Sequence, residues 1–154
     1  MACSYNEIWK AVEERIKVVE VVSDWKEAVI LAGKLLQRDN CIEESYIEGM
    51  IKTCQELGPY IAIAPGLAIP HARPEEGAKK TCFSILVVRK GVNFGSHNDP
   101  VYIVVAFSSP DKKSHLKFLQ VLAELFANKG EQIVNSLREA KNTYEALSIL
   151  RELL

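Results

Sequence analysis

One histidine of the chain, His71, lies in the turn-forming stretch PGLAIPHARP at residues 65–74. Pro70 fixes its own backbone φ and lacks an N–H, and Gly66 permits a close backbone approach, so we expect the imidazole on a short, stiff connection. A rigidly held imidazole with one unprotonated ring nitrogen is suited to act as a nucleophile toward a phosphoryl group. The alternative is a histidine that only hydrogen-bonds its own loop.

Arg73, two residues beyond His71, can supply positive charge to such a reaction. A phosphoryl group in transfer carries its charge on the equatorial oxygens, and a guanidinium can pair with two of them. The spacing equally fits an exposed arginine that forms ion pairs with Glu75 or Glu76.

A second histidine, His115, follows Ser114 at the predicted start of a helix whose apolar stripe begins at Leu116. The first turn of a helix has free backbone N–H groups and favours an anion. If this end faces His71, Ser114 and His115 can bind the same phosphoryl group. The alternative is a solvated first turn.

The third histidine, His97, lies among Gly, Asn and Asp residues and is expected to be an exposed loop residue.

Cysteines occupy four widely separated positions, 3, 41, 54 and 82. No C-x-x-C pair is present and no histidine stands at a short ligand spacing, so the pattern predicts reduced thiols rather than a metal site. Cys54 falls on an apolar helix stripe and Cys82 opens an apolar run, which favours packing for both.

Composition narrows the possible classes of protein. A chain of 154 residues with 48% hydrophobic content is expected to form a single domain over residues 1–154. The net charge of −1, with both signs interspersed, argues against a nucleic-acid partner. Apolar runs are short and no basic segment leads into an apolar one at the amino terminus, so we expect no membrane insertion and a cytoplasmic location.

The hydrophobic periodicity predicts the elements that hold these residues. Helices are expected first in the amino-terminal segment, then from the capping pair Asp24 and Glu27, and then over a stripe that ends at Gly58. Strands are predicted at residues 16–22, 60–64, 67–69, 82–89 and 101–107, followed by a helical carboxy-terminal third. This order predicts an α/β fold in which helices cover both faces of a mixed sheet.

The stretch LAIPHARP at residues 67–74, with SHL at 114–116, resembles the enzyme IIA domain of the mannitol/fructose class of the phosphoenolpyruvate-dependent sugar phosphotransferase system. The resemblance covers nearly the whole chain and extends to YIEGM at 46–50, GVNF at 91–94 and DPV at 99–101. The version of the motif at 63–75 is most similar to the ascorbate-specific branch. The resemblance implies a mixed sheet of about five strands sandwiched by helices.

The resemblance also implies roles for particular residues. His71 is then the residue phosphorylated by phospho-HPr, and it passes the group to a cysteine of the cognate enzyme IIB, which serves the membrane IIC component. His115 matches the family's second histidine, which contacts the phosphoryl group or the active imidazole. An arginine that mannitol members carry on the preceding helix has no counterpart here, so Arg73 and Lys52 are both candidates for the phosphate-side cation, with Ser114 as a further contact.

Such a carrier receives an already activated group, which agrees with a sequence that has no P-loop, Mg²⁺ ligand set or nucleotide fingerprint. We therefore expect neither a cofactor nor a metal. Two other functions remain open at this point. One is a regulatory enzyme IIA of the nitrogen or transcription-regulator type, which would use the same histidine to report phosphorylation state. The other is a metal-dependent hydrolase built on the three histidines.

Overall fold

The sheet contains four strands in the order β1-β3-β4-β2 within residues 15–153, the part of the chain that the computed structural model describes. The strands are β1 Ile16–Val19, β2 Leu67–Ala68, β3 Cys82–Val92 and β4 Val101–Ser108. The helices are α1 Trp25–Arg38, α2 Glu44–Leu57, α3 Lys112–Leu137 and α4 Thr143–Leu153, and short 3-10 turns occur at Gly58–Ile61 and Pro74–Glu76. The expected amino-terminal helix lies outside the described residues.

The sheet is mixed because its central pair, β3 and β4, is antiparallel, whereas each outer strand is parallel to its neighbour. Side chains alternate between the two faces of these strands. Leu86 and Val104 pack with α1 and α2 on one face, whereas Phe83 and Phe107 pack with α3 and α4 on the other. The predicted α/β sandwich is therefore confirmed.

Helix α1 begins where the capping pair predicts. The Asp24 carboxylate accepts a hydrogen bond from the backbone N–H of Glu27 at 2.9 Å, and the Glu27 carboxylate accepts one from the N–H of Ser23 at 2.8 Å. These bonds satisfy donors that the first helical turn leaves free. Local chemistry thus sets the start of the helix that covers the β3 face.

The predicted sheet of about five strands is wrong by one, because residues 60–64 do not form a strand. This segment begins in the 3-10 turn Gly58–Ile61 and then folds back on the chain that follows it, with the Leu67 N–H bonded to the Ala64 carbonyl at 3.0 Å. Ala64 and Leu67 form only an isolated bridge. The Ile61 carbonyl also accepts the Ile69 N–H at 3.1 Å, so the segment contacts the chain around β2 at separated points and not through a continuous ladder.

The expectation of reduced cysteines is also wrong for two of them. Cys41, just after α1, and Cys82, the first residue of β3, form a disulfide with their Cα atoms 6.2 Å apart. Both are buried, as is the free Cys54, whose thiol pKa is raised to about 12 by burial. Packing is therefore confirmed for Cys54, whereas Cys82 both packs and cross-links. Cys3 lies outside the described residues.

No helix within residues 15–153 is both long and apolar enough to cross a membrane.

Candidate functional site

His71 is presented by the short segment that follows β2. Gly66, with φ +79°, turns the chain into β2, and a Cβ at this position would lie 2.8 Å from the Val134 side chain. Only glycine fits this conformation and this close approach comfortably. Ile69 and Pro70 are buried, and the half-buried His71 follows at once. The stiff connection predicted from the sequence is therefore present.

The ring orientation of His71 is set by its own loop. Its Nδ1 lies 2.9 Å from the carbonyl oxygen of Ile69. A carbonyl oxygen can only accept, so Nδ1 carries the hydrogen and Nε2 keeps its lone pair in the neutral ring. Burial lowers the pKa of His71, and the bond to Ile69 opposes this shift. The loop therefore favours a neutral imidazole whose Nε2 keeps a free lone pair.

His115 lies beside His71, with 5.5 Å between the two ring centroids. It occupies the first turn of α3, where its backbone N–H bonds to the Asp111 carbonyl at 3.0 Å. Burial and the neighbouring His71 lower the pKa of His115, and Glu75 raises it. The Nδ1 of His115 is buried and has no hydrogen-bond partner within residues 15–153.

Both imidazoles rest against the ring of Phe107, which is fully buried near the end of β4. The ring centroid of Phe107 lies 5.2 Å from that of His71 and 5.0 Å from that of His115. The three rings form one contiguous cluster, which we call the histidine pair and its aromatic floor. The sequence places Phe107 in a strand but does not assign it to the site.

Tyr46, on the buried face of α2, connects the two segments that carry this cluster. Its hydroxyl accepts a hydrogen bond from the Ala72 N–H at 3.1 Å and lies 2.8 Å from the Phe107 carbonyl oxygen, to which it can donate. Burial raises the pKa of the Tyr46 phenol far above its ordinary value, so the hydroxyl remains a donor. A tyrosine on an apolar helix stripe is the sequence signal that could have identified this contact, because a buried tyrosine hydroxyl usually has a hydrogen-bond partner.

Arg73 is an exposed arginine that forms ion pairs, which is the alternative that its spacing to Glu75 and Glu76 also fitted. Its side chain is 73% exposed, and its Nε lies 3.7 Å from a Glu75 carboxylate oxygen and 3.8 Å from one of Glu76. The Arg73 backbone N–H also bonds to the Glu76 carboxylate at 2.8 Å. The guanidinium is thus paired with one exposed carboxylate and one partly buried carboxylate, both at long distances that make the ion pairs weak.

The other two predicted phosphate contacts have protein neighbours of their own. Ser114 donates its backbone N–H to one oxygen of Asp111 at 2.8 Å and its hydroxyl to the other at 3.0 Å. These bonds to Ser114 are the main reason that the pKa of the Asp111 carboxyl is lowered. Lys52 is exposed on α2 and borders a surface hollow together with Glu48, Glu75 and other residues.

His97 is exposed on the loop between β3 and β4, as predicted. Nearby, Asp99 organises this loop by accepting hydrogen bonds from the N–H groups of Phe94, Gly95 and Ser96. Within residues 15–153, no three His, Cys, Asp or Glu side chains are grouped so that they could hold a metal ion. The histidines that the structure brings together are therefore His71 and His115.

The chain matches known proteins along most of its length. Residues 11–153 match the family described as the phosphoenolpyruvate-dependent sugar phosphotransferase system, EIIA 2. The mannitol-specific cryptic phosphotransferase enzyme IIA component of Escherichia coli K12 is 35% identical, over 90% of this chain and 92% of its own. The ascorbate-specific EIIA component of the same strain is 33% identical, over 91% of both chains.

Solved structures give the same result. The solution structure of the E. coli mannitol-specific cryptic enzyme IIA superposes with a TM-score of 0.81 at 33% identity, over 94% of this chain and 98% of its own. The E. coli mannitol enzyme IIA, solved in complex with phosphorylated enzyme IIB, shares the fold with a TM-score of 0.73 at 21% identity, over 90% of this chain and 95% of its own. The chain therefore belongs to the type 2 EIIA family of the phosphoenolpyruvate-dependent sugar phosphotransferase system.

Proposed function

We propose that this chain is a phosphoryl carrier in which His71 accepts the phosphoryl group of phospho-HPr and donates it to a cysteine of a cognate enzyme IIB. The observation that carries the proposal is the bond between His71 Nδ1 and the Ile69 carbonyl. It leaves Nε2 as an unprotonated nucleophile on a rigid loop, 5.5 Å in ring-centroid distance from a second histidine.

In the first step, the lone pair of His71 Nε2 attacks phosphorus, a new N–P bond forms, and the N–P bond to the HPr histidine breaks. The HPr imidazole leaves with the electron pair of the broken bond. In the second step, a thiolate of enzyme IIB attacks phosphorus, and His71 Nε2 recovers its lone pair. The Nδ1 hydrogen stays on His71 throughout, so this domain requires no general base.

His115 is proposed to stabilise the transferred group. A buried N–H without an acceptor is costly, so the unpartnered Nδ1 favours the form in which the hydrogen lies on Nε2. That N–H can donate to a phosphoryl oxygen on the neighbouring His71 and share the charge of the transition state.

Arg73 is the cation we favour for the phosphoryl oxygens, with Lys52 as the alternative. Arg73 lies two residues from His71, and its exposed guanidinium is 3.7 and 3.8 Å from the Glu75 and Glu76 carboxylates, so these ion pairs are weak and exchangeable. Ser114 can contribute its hydroxyl if this turns from Asp111 toward the phosphoryl group. A larger loss of transfer rate in Arg73→Gln than in Lys52→Gln is expected, and the reverse result would select Lys52.

We propose that the carrier works in the cytoplasm and serves the membrane IIC component only through enzyme IIB. The complex of the E. coli mannitol enzyme IIA with phosphorylated enzyme IIB supports a direct IIA–IIB encounter.

For the transported compound we favour ascorbate, on the form of the motif at residues 63–75. The mannitol-type relative is as similar in sequence, so a mannitol-class sugar is the second candidate. Transfer to an ascorbate-type rather than a mannitol-type enzyme IIB decides between them.

The first experiment is transfer of labelled phosphate from phosphoenolpyruvate through enzyme I and HPr to the wild-type chain and to His71→Ala, His115→Ala and His97→Ala. We expect an acid-labile, base-stable adduct that is absent only from His71→Ala, slower labelling of His115→Ala, and no change in the exposed His97→Ala control. Label retained in folded His71→Ala, or no label in the wild type from a competent donor, would overturn the proposal. Stable labelling with no transfer to any enzyme IIB would favour the regulatory type.

A further inference from the structure

Tyr46 is a buried residue to which the proposed reaction gives no direct role, yet its hydroxyl lies at the meeting point of the site. It contacts the backbone of Ala72, the residue after His71, and the backbone of Phe107, whose ring supports both histidines. The Tyr46 hydroxyl therefore connects the loop that carries His71 to β4, the strand that carries Phe107.

The Phe107 end of this link also bears on His115. Strand β4 ends at Ser108, and three residues later Asp111 caps α3 and accepts the backbone N–H of His115. The Phe107 ring itself lies 5.0 Å from the His115 ring. Tyr46 thus links two chain segments. It reaches the loop of His71 through Ala72, and it reaches the side chain that contacts His115 through Phe107. The separation of these two segments sets the His71–His115 distance.

A second contact from the same helix acts on the same loop. Gly49 lies one turn after Tyr46, and a Cβ added there would come within 3.1 Å of both the Ala72 Cβ and the Glu76 carboxyl carbon. Contacts this short require one partner to move. The face of α2 therefore fits Ala72 closely, with a hydroxyl to bond its backbone and a glycine to admit its side chain.

We infer that Tyr46 is a positioning residue that holds His71 at its reactive distance and orientation relative to His115, an inference that rests on the proposed carrier function. Without the hydroxyl, Ala72 and Phe107 lose their shared partner, and the loop at 70–73 can move relative to β4. His71 can then leave its bond to Ile69, so that the hydrogen no longer remains on Nδ1 alone.

The test uses two variants that disturb this fit in different ways. Tyr46→Phe removes the hydroxyl and keeps the ring, whereas Gly49→Ala keeps the hydroxyl and crowds Ala72. Gly49 lies in a helix interior where alanine is intrinsically the better helix former, so slower transfer in a stable Gly49→Ala cannot be ascribed to helix loss. The matched control is Ser84→Ala, which removes another buried hydroxyl from the same α1/α2 side of the sheet, where it donates to the Ala32 carbonyl at 2.8 Å rather than to the histidine loop.

Two readouts are measured on each protein. Nitrogen-15 NMR of the imidazoles reports which ring nitrogen of His71 carries the hydrogen, and single-turnover transfer from phospho-HPr over a range of donor concentrations separates the maximal rate from apparent donor affinity. We expect Tyr46→Phe and Gly49→Ala to show mixed tautomers and maximal rates lower by about ten- to a hundredfold, with donor affinity unchanged. Ser84→Ala should match the wild type in both readouts.

Wild-type tautomer populations in both variants, with maximal rates within about twofold of the Ser84→Ala control, would overturn the inference. If Tyr46→Phe fails to fold, wild-type tautomers and rate in Gly49→Ala would still overturn the inference, because they would show that the fit of α2 against Ala72 does not position His71. If the wild type accepts no label, the proposed function fails, but the tautomer measurement still decides whether Tyr46 positions His71.

Discussion

At the scale of single residues, the site depends on which nitrogen of His71 holds a hydrogen and at what pH a second one binds. The Ile69 carbonyl settles the first point, because it accepts only from Nδ1–H. Burial governs the second, since the charged imidazolium is disfavoured beside the buried ring of Phe107. A histidine with a lowered pKa stays neutral, and hence nucleophilic, in mildly acidic solution.

We predict that the rate of phosphoryl acceptance stays level as the pH falls through about 6.5, the ordinary histidine pKa. It should decline only at lower pH, where the folded protein protonates His71. Single-turnover transfer measured against pH, alongside an NMR titration of the His71 ring, checks this, and His97→Gln should give the wild-type profile. A decline centred at or above pH 6.5 would contradict it.

The same shift has a consequence for stability. Between about pH 6.5 and the lowered pKa, the unfolded chain binds a proton at His71 that the folded chain does not, so the free energy of unfolding falls as the pH falls. His71→Gln lacks this term. The stability of the wild type relative to His71→Gln is therefore predicted to decrease from pH 7.5 to 5, as measured by urea unfolding, and a constant difference would count against a buried neutral His71.

The two histidines of the candidate site could be predicted from sequence better than the residues that pack around them. His71 lies between two prolines, and His115 lies at a helix start. Such patterns involve residues close in sequence, so the sequence alone reveals them. Phe107 and Tyr46 look like ordinary apolar-stripe residues. Tyr46 contacts Ala72, 26 residues away along the chain, and Phe107, 61 residues away, and only the folded sheet brings these segments together.

At the scale of elements, the start of α3 determines where His115 lies. Asp111 caps this helix through both the N–H and the hydroxyl of Ser114, and the next residue is His115. Starts like this one and that of α1 have local signals and could be predicted. Residues 60–64 could not, because an apolar run between two turns has the pattern of a strand whether or not it forms a continuous ladder with the neighbouring chain.

We predict that Asp111→Ala lowers the melting temperature by a few degrees and slows phosphoryl acceptance, because the turn that carries His115 loses its cap. Asp111→Asn, whose side chain can still cap, should recover most of both. Asp24→Ala is the matched control, since it removes the equivalent cap of α1. It should lower the melting temperature similarly and leave acceptance unchanged, and equal slowing in both alanine variants would contradict a local effect on His115.

At the scale of the whole molecule, the disulfide ties the chain between α1 and α2 to the start of β3, across 41 residues of sequence. Cysteine spacing alone does not predict this pair, because a disulfide depends on two Cα atoms meeting in space. Cys82 also begins the strand whose neighbour β4 carries Phe107, since Cys82 pairs with Ser108 and Phe83 with Phe107. The cross-link therefore stabilises the central strands from one end.

Closing a loop of this length should contribute about 3–4 kcal/mol through restriction of the unfolded chain. We predict that a reductant lowers the melting temperature of the wild type by about 10 °C. Cys41→Ala/Cys82→Ala should melt near the reduced wild type and not respond to reductant. Peptide mapping after alkylation without reduction identifies the linked pair directly, and free thiols at both positions would exclude the bond.

The surface around the histidine pair should also determine how partners dock. Leu116 follows His115 and is 53% exposed, although it lies on a helix that otherwise buries its large apolar residues or packs them partly. By contrast, Leu67, Ile69 and Phe94 are buried in the two cores. Leu116 therefore leaves an apolar side chain accessible beside the histidine pair, where the proposed donor and acceptor would both approach.

We predict that Leu116→Ser raises the apparent KM for phospho-HPr by about five- to tenfold, because burial of half a leucine side chain is worth about 1 kcal/mol. The maximal single-turnover rate and the His71 tautomer should not change, since no contact within the histidine pair and its aromatic floor is removed. Tyr144→Ser on α4, which removes an 81% exposed apolar side chain, is the control and should keep the wild-type KM. An unchanged KM in Leu116→Ser would mean that the donor approaches His71 without crossing the first turns of α3, and a lower maximal rate would mean that Leu116 supports His115 rather than the partner.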